Sequence, residues 1–250
     1  MKQLKIFAVM LVALTISVSA QVKTFVASGD SRNQATFESN APLEDIIGVS
    51  DDLTAVAMID LNNLANSKGK VKINLNKLRT GIDLRDKHVR SEMWLNTSKY
   101  PYAIFELKSI TPLSSNKLAN GKAVKVNFNG VFTVHGVSHK ISAPGELAYF
   151  MESPQTKTKM PGNLLRVKTN FKIKLSDYGV KIPSMVVAKL DDNIKISASF
   201  IASDANTGSM ENPCNMKSHK MKANGMKNNM KANSGGMGAA KNNKANPCGM

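Results

Sequence analysis

Polar and apolar residues alternate along most of the chain. In AVKVNFNGVFTVHG (123–136), Val124, Val126, Phe128, Phe132 and Val134 share one parity, and Lys125, Asn127, Asn129 and Thr133 take the other. LLRVKTNFKIKL (164–175) groups Leu165, Val167, Phe171, Ile173 and Leu175, and NIKISASFIA (193–202) groups Ile194, Ile196, Ala198 and Phe200. A period of two puts successive side chains on opposite faces of a strand. Shorter runs of the same kind predict strands at 22–27, 34–39, 54–61, 70–75, 103–109 and 138–149. One apolar and one wet face per strand suits antiparallel sheet. About eight such strands predict an all-β barrel or sandwich. A barrel of that size encloses room for side chains or for one apolar ligand. The pattern leaves open which of the two fills it.

One stretch breaks the alternation. LRDKHVRSEMW predicts a short helix at 84–94. Asp83 is placed to cap it by accepting from the free N–H groups of the first turn. Asp83 with Lys87, and Asp86 with Arg90, are acid-then-base pairs one turn apart. Leu84 and His88 share a side, as do Val89 and Met93. Tyr100-Pro101 then returns the chain to extended structure. The expectation is a helical plug across one end of a barrel.

Composition changes sharply at both ends. Lys2 and Lys5, the apolar run Ile6 to Ile16 and Val18-Ser19-Ala20 together predict a secretory signal peptide over 1–20, cleaved after Ala20. That run is too short for a spanning helix, so a periplasmic or secreted protein is expected. After Ile201 there is no Val, Ile, Leu, Phe, Tyr or Trp, and half of the 14 methionines follow it. Too little apolar surface remains there to offset ordering entropy, so a disordered Lys/Asn/Met/Gly-rich tail is predicted over 205–250. Residues 21–204 then form one domain. The net charge of +16 divides into +2 on Lys2 and Lys5, +6 on the tail and +8 on the body. Export argues against nucleic acid as a partner. The charge suits peripheral contact with an anionic membrane or a phosphate-bearing ligand.

LRTGIDLRDKHVRSEMWLNTSKYPYAIFEL (78–107) resembles the hallmark segment of the YceI-like family of exported, lipocalin-like β-barrels. The resemblance rests on Thr80-Gly81, Arg85-Asp86, His88, Arg90-Ser91, Lys99-Tyr100-Pro101 and Phe105. It extends to Gly130, His135-Gly136, Ser138, Ser176-Asp177-Tyr178-Gly179 and a closing strand from Asn193 to Ala202. It covers about Thr24 to Ser203; Phe37 to Leu43 fits a variant of the family pattern, and the tail lies outside it.

This resemblance implies a lipocalin-like barrel that carries a polyisoprenoid, a quinone or a prenyl phosphate, with no catalytic residues and no other cofactor. The cavity lining expected here is Phe105, Leu107, Val124, Val126, Phe128, Phe132, Val134, Tyr149, Leu165, Val167, Phe171, Ile173, Ile194, Ile196 and Phe200. The same side chains equally suit a solid core. Arg85 and Arg90 are head-group candidates, because a guanidinium forks onto phosphate. In the competing reading, Arg85 and Asp86 bond nearby backbone and pin the helix.

His135 and His139 have part of a zinc-ligand spacing, but no third ligand is evident. No arrangement of nucleophile and base, and no phosphate-cradling loop, stands out, so no enzyme is predicted. In the tail, Cys214 and Cys248 recur in NPC motifs. They suit a disulfide in an oxidising compartment. With Met216 and His219 they equally suit soft-ligand copper binding, which gives an alternative function in periplasmic metal handling. A free thiol or intermolecular pairing also stays open. The oligomeric state is not legible.

Overall fold

The computed structural model describes residues 21–28, 30 and 32–205. The signal-peptide and tail expectations, and with them Cys214, Met216, His219 and Cys248, lie outside these residues. Among the described residues, ten antiparallel strands run in chain order: β1 (Val22–Ala27), β2 (Gln34–Asn40), β3 (Asp45–Ser50), β4 (Leu53–Asp60) and β5 (Lys68–Asn74), then β6 (Tyr102–Pro112), β7 (Ala123–Val134), β8 (Val137–Phe150), β9 (Leu164–Lys174) and β10 (Asn193–Ser203). Eight of them, β1 and β4 to β10, close a barrel, with β10 returning to β1 at Ser203 and Val26.

The seam is shared. The first half of β10, Ile194–Ser199, pairs with β2, and β2 carries β3 on its outer edge. The hairpin β2–β3 thus extends the wall where β1 does not reach. The alternation read from sequence persists in the burial of β7, whose Val124, Val126, Phe128, Phe132 and Val134 all face inward.

Local sequence sets the register. The β7–β8 hairpin turns on His135 and Gly136, with φ of 53° and 78°. Positive φ at both central residues matches the right-handed twist of the flanking strands. Gly136 has a second reason to lack a side chain: a Cβ there would sit 2.5 Å from the Tyr100 ring.

The helix is shorter than predicted. It forms α1 (Asp83–Arg90), followed by turns through residues 91–99, with Asn96 at a φ of 43°. Ile82, not Asp83, occupies the capping position, and no side chain caps it. Asp83 sits in the first turn, where a negative charge opposes the helix dipole. The carboxylate that organises this end is Asp86, which accepts from Thr80 N–H (2.7 Å) and Thr80 Oγ1 (2.6 Å).

The two ends of the barrel differ. One is filled: Leu64 and Leu118 are buried there, joined by backbone bonds from Leu64 to Asn116 and from Leu118 to Leu61. Phe25 and Tyr149 meet edge to face behind them, with ring centroids 6.2 Å apart. The other end is roofed by α1, the turns after it and the segment 175–192.

Candidate functional site: an apolar cavity under a helical cap

Two apolar cavities lie inside the barrel, one under the roof and one deeper along the axis. The outer, of about 110 Å³, is bounded by Phe37, Leu75, Leu78, Val134, Ile173 and Ile194 from the walls. Val89, Trp94, Leu95, Leu175, Val180 and Leu190 form its roof. The inner, of about 70 Å³, is lined by Phe105, Leu107, Phe128, Leu165, Val167, Phe171 and Phe200, among others. Ile73, Phe132 and Ile196 line both. They are the partition.

Phe132 is held across the passage by two edge-to-face contacts, to Phe171 at 5.3 Å and to Tyr178 at 5.8 Å. Such pairs add about 0.5–1.5 kcal/mol beyond area burial. Burial, with the nearby Asp177 charge, pushes the Tyr178 phenol above its ordinary value, so it stays neutral. Lys70 touches the inner lining, but its ammonium turns to Glu106 at 3.0 Å.

Most of the fifteen residues expected to line a cavity fall on one of these two surfaces. Val124, Val126 and Tyr149 do not: they are buried toward the filled end and line neither space. The alternation ends at Leu175 and does not extend over the rest of the roof: Val180 and Leu190 lie in a segment without strand period, and Trp94 and Leu95 lie beyond the end of α1. Val89 was paired with Met93, yet Val89 points in while Met93 is 68% exposed. Ending α1 at Arg90 rotates the residues after it and brings Trp94 inward instead. A single tryptophan amid apolar turns was the available signal.

Both head-group candidates brace the roof. Arg85 donates from Nε to Thr80 Oγ1 (2.9 Å) and from Nη2 to Thr80 O (3.1 Å), and it pairs with Glu44 through Nη1. Arg90 donates to the Leu78 carbonyl at 2.8 Å. Neither lines the cavities. For Asp86, burial favours the neutral acid, but the Thr80 hydrogen bonds and the Arg90 and Arg85 charges outweigh it and hold its carboxyl below the usual range.

The histidines are staples too. His135 Nδ1 lies 3.0 Å from Tyr178 O and His139 Nε2 lies 2.9 Å from Asp177 O, tying the β7–β8 hairpin to the turn at Ser176–Tyr178. Among the described residues, no group of three or more His, Cys, Asp or Glu could hold a metal ion.

The sequence profile of the YceI-like domain matches residues 17–202. The chain belongs to this family. A UPF0312 protein of Pseudomonas aeruginosa is 30% identical over 137 residues, and the Protein YceI of Escherichia coli O157:H7 is 28% identical over 136. The matched stretches are 55% and 54% of this chain, and 64% of each relative's own length.

Solved structures share the fold at lower identity. BcnA of Burkholderia cenocepacia superposes with a TM-score of 0.57 at 16% identity, over 71% of this chain and 100% of that one. A polyisoprenoid-binding domain of Saccharophagus degradans, implicated in plant cell wall breakdown, gives 0.54 at 17%, over 73% and 98%. Of the barrel or sandwich that alternation allows, the chain forms the barrel, and it is the YceI lipocalin-like barrel that the resemblance implies.

Proposed function

We propose that the chain is a carrier that holds an isoprenoid lipid, of quinone or prenyl phosphate type, along the axis of the barrel. The observation that carries this reading is the pair of in-line apolar cavities separated by only three side chains. The polyisoprenoid-binding relative of the same fold supports the choice of ligand. Burial of a prenyl chain contributes about 0.8 kcal/mol per CH₂. No chemical step is required of the protein. Residues 1–20 would direct its export.

The cavities have a consequence for mechanism. At about 110 and 70 Å³ they fall below the roughly 300–1,000 Å³ of established ligand pockets. A long chain therefore enters by turning Phe132 and Ile196 aside, which joins the two spaces. The free energy of burying the chain has to offset the loss of the Phe132 contacts. Short chains fit under the roof alone.

Trp94 makes the reading testable, because it is the only tryptophan and it lines the outer cavity. Titration with a prenyl quinone should quench its fluorescence saturably at one ligand per chain. Solvent extracts of the protein purified from its producing cells should contain a stoichiometric polyprenoid mass. An empty extract together with no saturable quenching would overturn the proposal.

A further inference from the structure

The roof has an outer surface as well as an inner one. Leu84 on α1, Met93 just after it, Leu43 in the turn between β2 and β3, and Met185 and Val187 in the segment 180–192 are 56–85% exposed. Two contacts tie these segments to one another, and a third ties α1 to the wall. Arg85 on α1 pairs with Glu44. Leu43 N–H donates to Ala188 O at 2.9 Å, and Arg90 holds α1 to Leu78. The exposed apolar side chains thus belong to one rim.

That rim is thin at one place. An open cleft of about 730 Å³, lined by Pro42, Ile182 and Val187 among others, shares Val180 and Leu190 with the outer cavity. A single layer of side chains separates cavity from solvent there. The acidic residues of the segment border this cleft but are engaged locally: Asp192 accepts from Ser176 N–H and Oγ, and Asp191 from Asn193 N–H. Lys181 and Lys189 remain exposed on either side of Met185.

We propose that this rim docks on an anionic lipid bilayer, with Leu43, Leu84, Met93, Met185 and Val187 inserted, and that Val180 and Leu190 are the portal through which a lipid passes. The proposal rests on the lipid-carrier reading for its cargo. The occupant is a bilayer because the exposed apolar residues lie on the segments that roof an apolar cavity, and Val180 and Leu190 border both that cavity and an open cleft. Docking there brings the membrane's hydrocarbon to the portal and spares a prenyl chain passage through water. Lys181 and Lys189 would meet the anionic headgroups.

The test uses the natural chain, produced in its own cells, and vesicles of phosphatidylcholine with phosphatidylglycerol. Flotation is compared for the wild type, the double variant Met185→Asp/Val187→Asp, and the double variant Leu113→Asp/Met151→Asp. The last two positions are comparably exposed, 59% and 55%, but lie at the filled end. The portal-side variant should partition at least about tenfold more weakly, since it replaces buried apolar surface with charge. The filled-end variant should float like the wild type. Brominated acyl chains should quench Trp94 in the wild type only when vesicles are present.

Equal flotation of all three proteins, equal loss in both variants, or no quenching by brominated lipid would overturn the proposal. So would a concentration-dependent dimer abolished by the portal-side variant without vesicle binding, which would assign the rim to a second copy of the chain. Uptake of a prenyl quinone from detergent micelles separates this from the carrier reading. If uptake fails there, the carrier reading fails, whatever the flotation result.

Discussion

The two ends of this barrel are made from the same strands and do opposite things. At the filled end, Leu64 and Leu118 arrive on short connections, and Phe25, Tyr149, Val124 and Val126 pack solidly behind them. At the roofed end, longer segments arch over the strands and leave the interior underfilled. Alternating apolar residues build a wall equally well in both places. What separates core from cavity is how much side-chain volume the connections deliver to the axis.

The contrast can be broken by mutation. Phe25→Ala, at a fully buried position in the solid half, should cost about 3–5 kcal/mol in urea unfolding. It should leave prenyl-quinone affinity nearly unchanged among molecules that remain folded. A comparable loss of affinity would show that the filled end is part of the ligand site.

Phe132→Ala should cost less, about 2–3 kcal/mol, because the ring already borders empty space and has fewer atoms to lose contact with. It opens the partition, so long prenyl chains should bind more tightly while short ones gain little. Equal changes for long and short chains would locate the ligand outside the inner cavity. A crystal structure of the variant would show the two spaces joined.

Asp86→Asn sharpens the contrast at the roof, at about 1–2 kcal/mol, since a neutral amide keeps only part of the Thr80 bonding. The folded carboxyl titrates below its unfolded value of about 3.9. Its stabilisation is therefore full above that pH and disappears as pH falls through the lower, folded value. The variant should lose the corresponding part of the acid limb in a stability–pH profile below about pH 4. An unchanged limb would assign acid sensitivity to other carboxylates, such as Asp204 in its bonds to Asn163 and Lys23.

Much of the fold is legible before any coordinates. Every strand read from the sequence is present, within a few residues at its ends. The strand not read, β3, holds Ile46 and Ile47 side by side and then Gly48, so its alternation is broken. It pairs because β2 offers an edge, and the Phe37 ring fills the space over Gly48. Alternation marks a residue as inward-facing but does not tell lining from packing. Val124 and Phe128 share one face of β7 and carry the same period-two signal, yet only Phe128 reaches the cavity.

By itself, then, the sequence determined the strands, their inward faces, an antiparallel all-β class and the presence of a helical segment between two of the strands. Those follow from local backbone preference and from burial of one parity, both readable over a few residues at a time. Only the tertiary structure decided that the barrel is filled at one end and hollow at the other. It also decided that Arg85 and Arg90 brace the roof, and that Val180 and Leu190 stand between cavity and solvent. These depend on where segments distant in the chain meet: Glu44 with Arg85, Leu43 with Ala188, Leu61 with Leu118. Empty volume is what several such meetings leave over, and no local pattern encodes it.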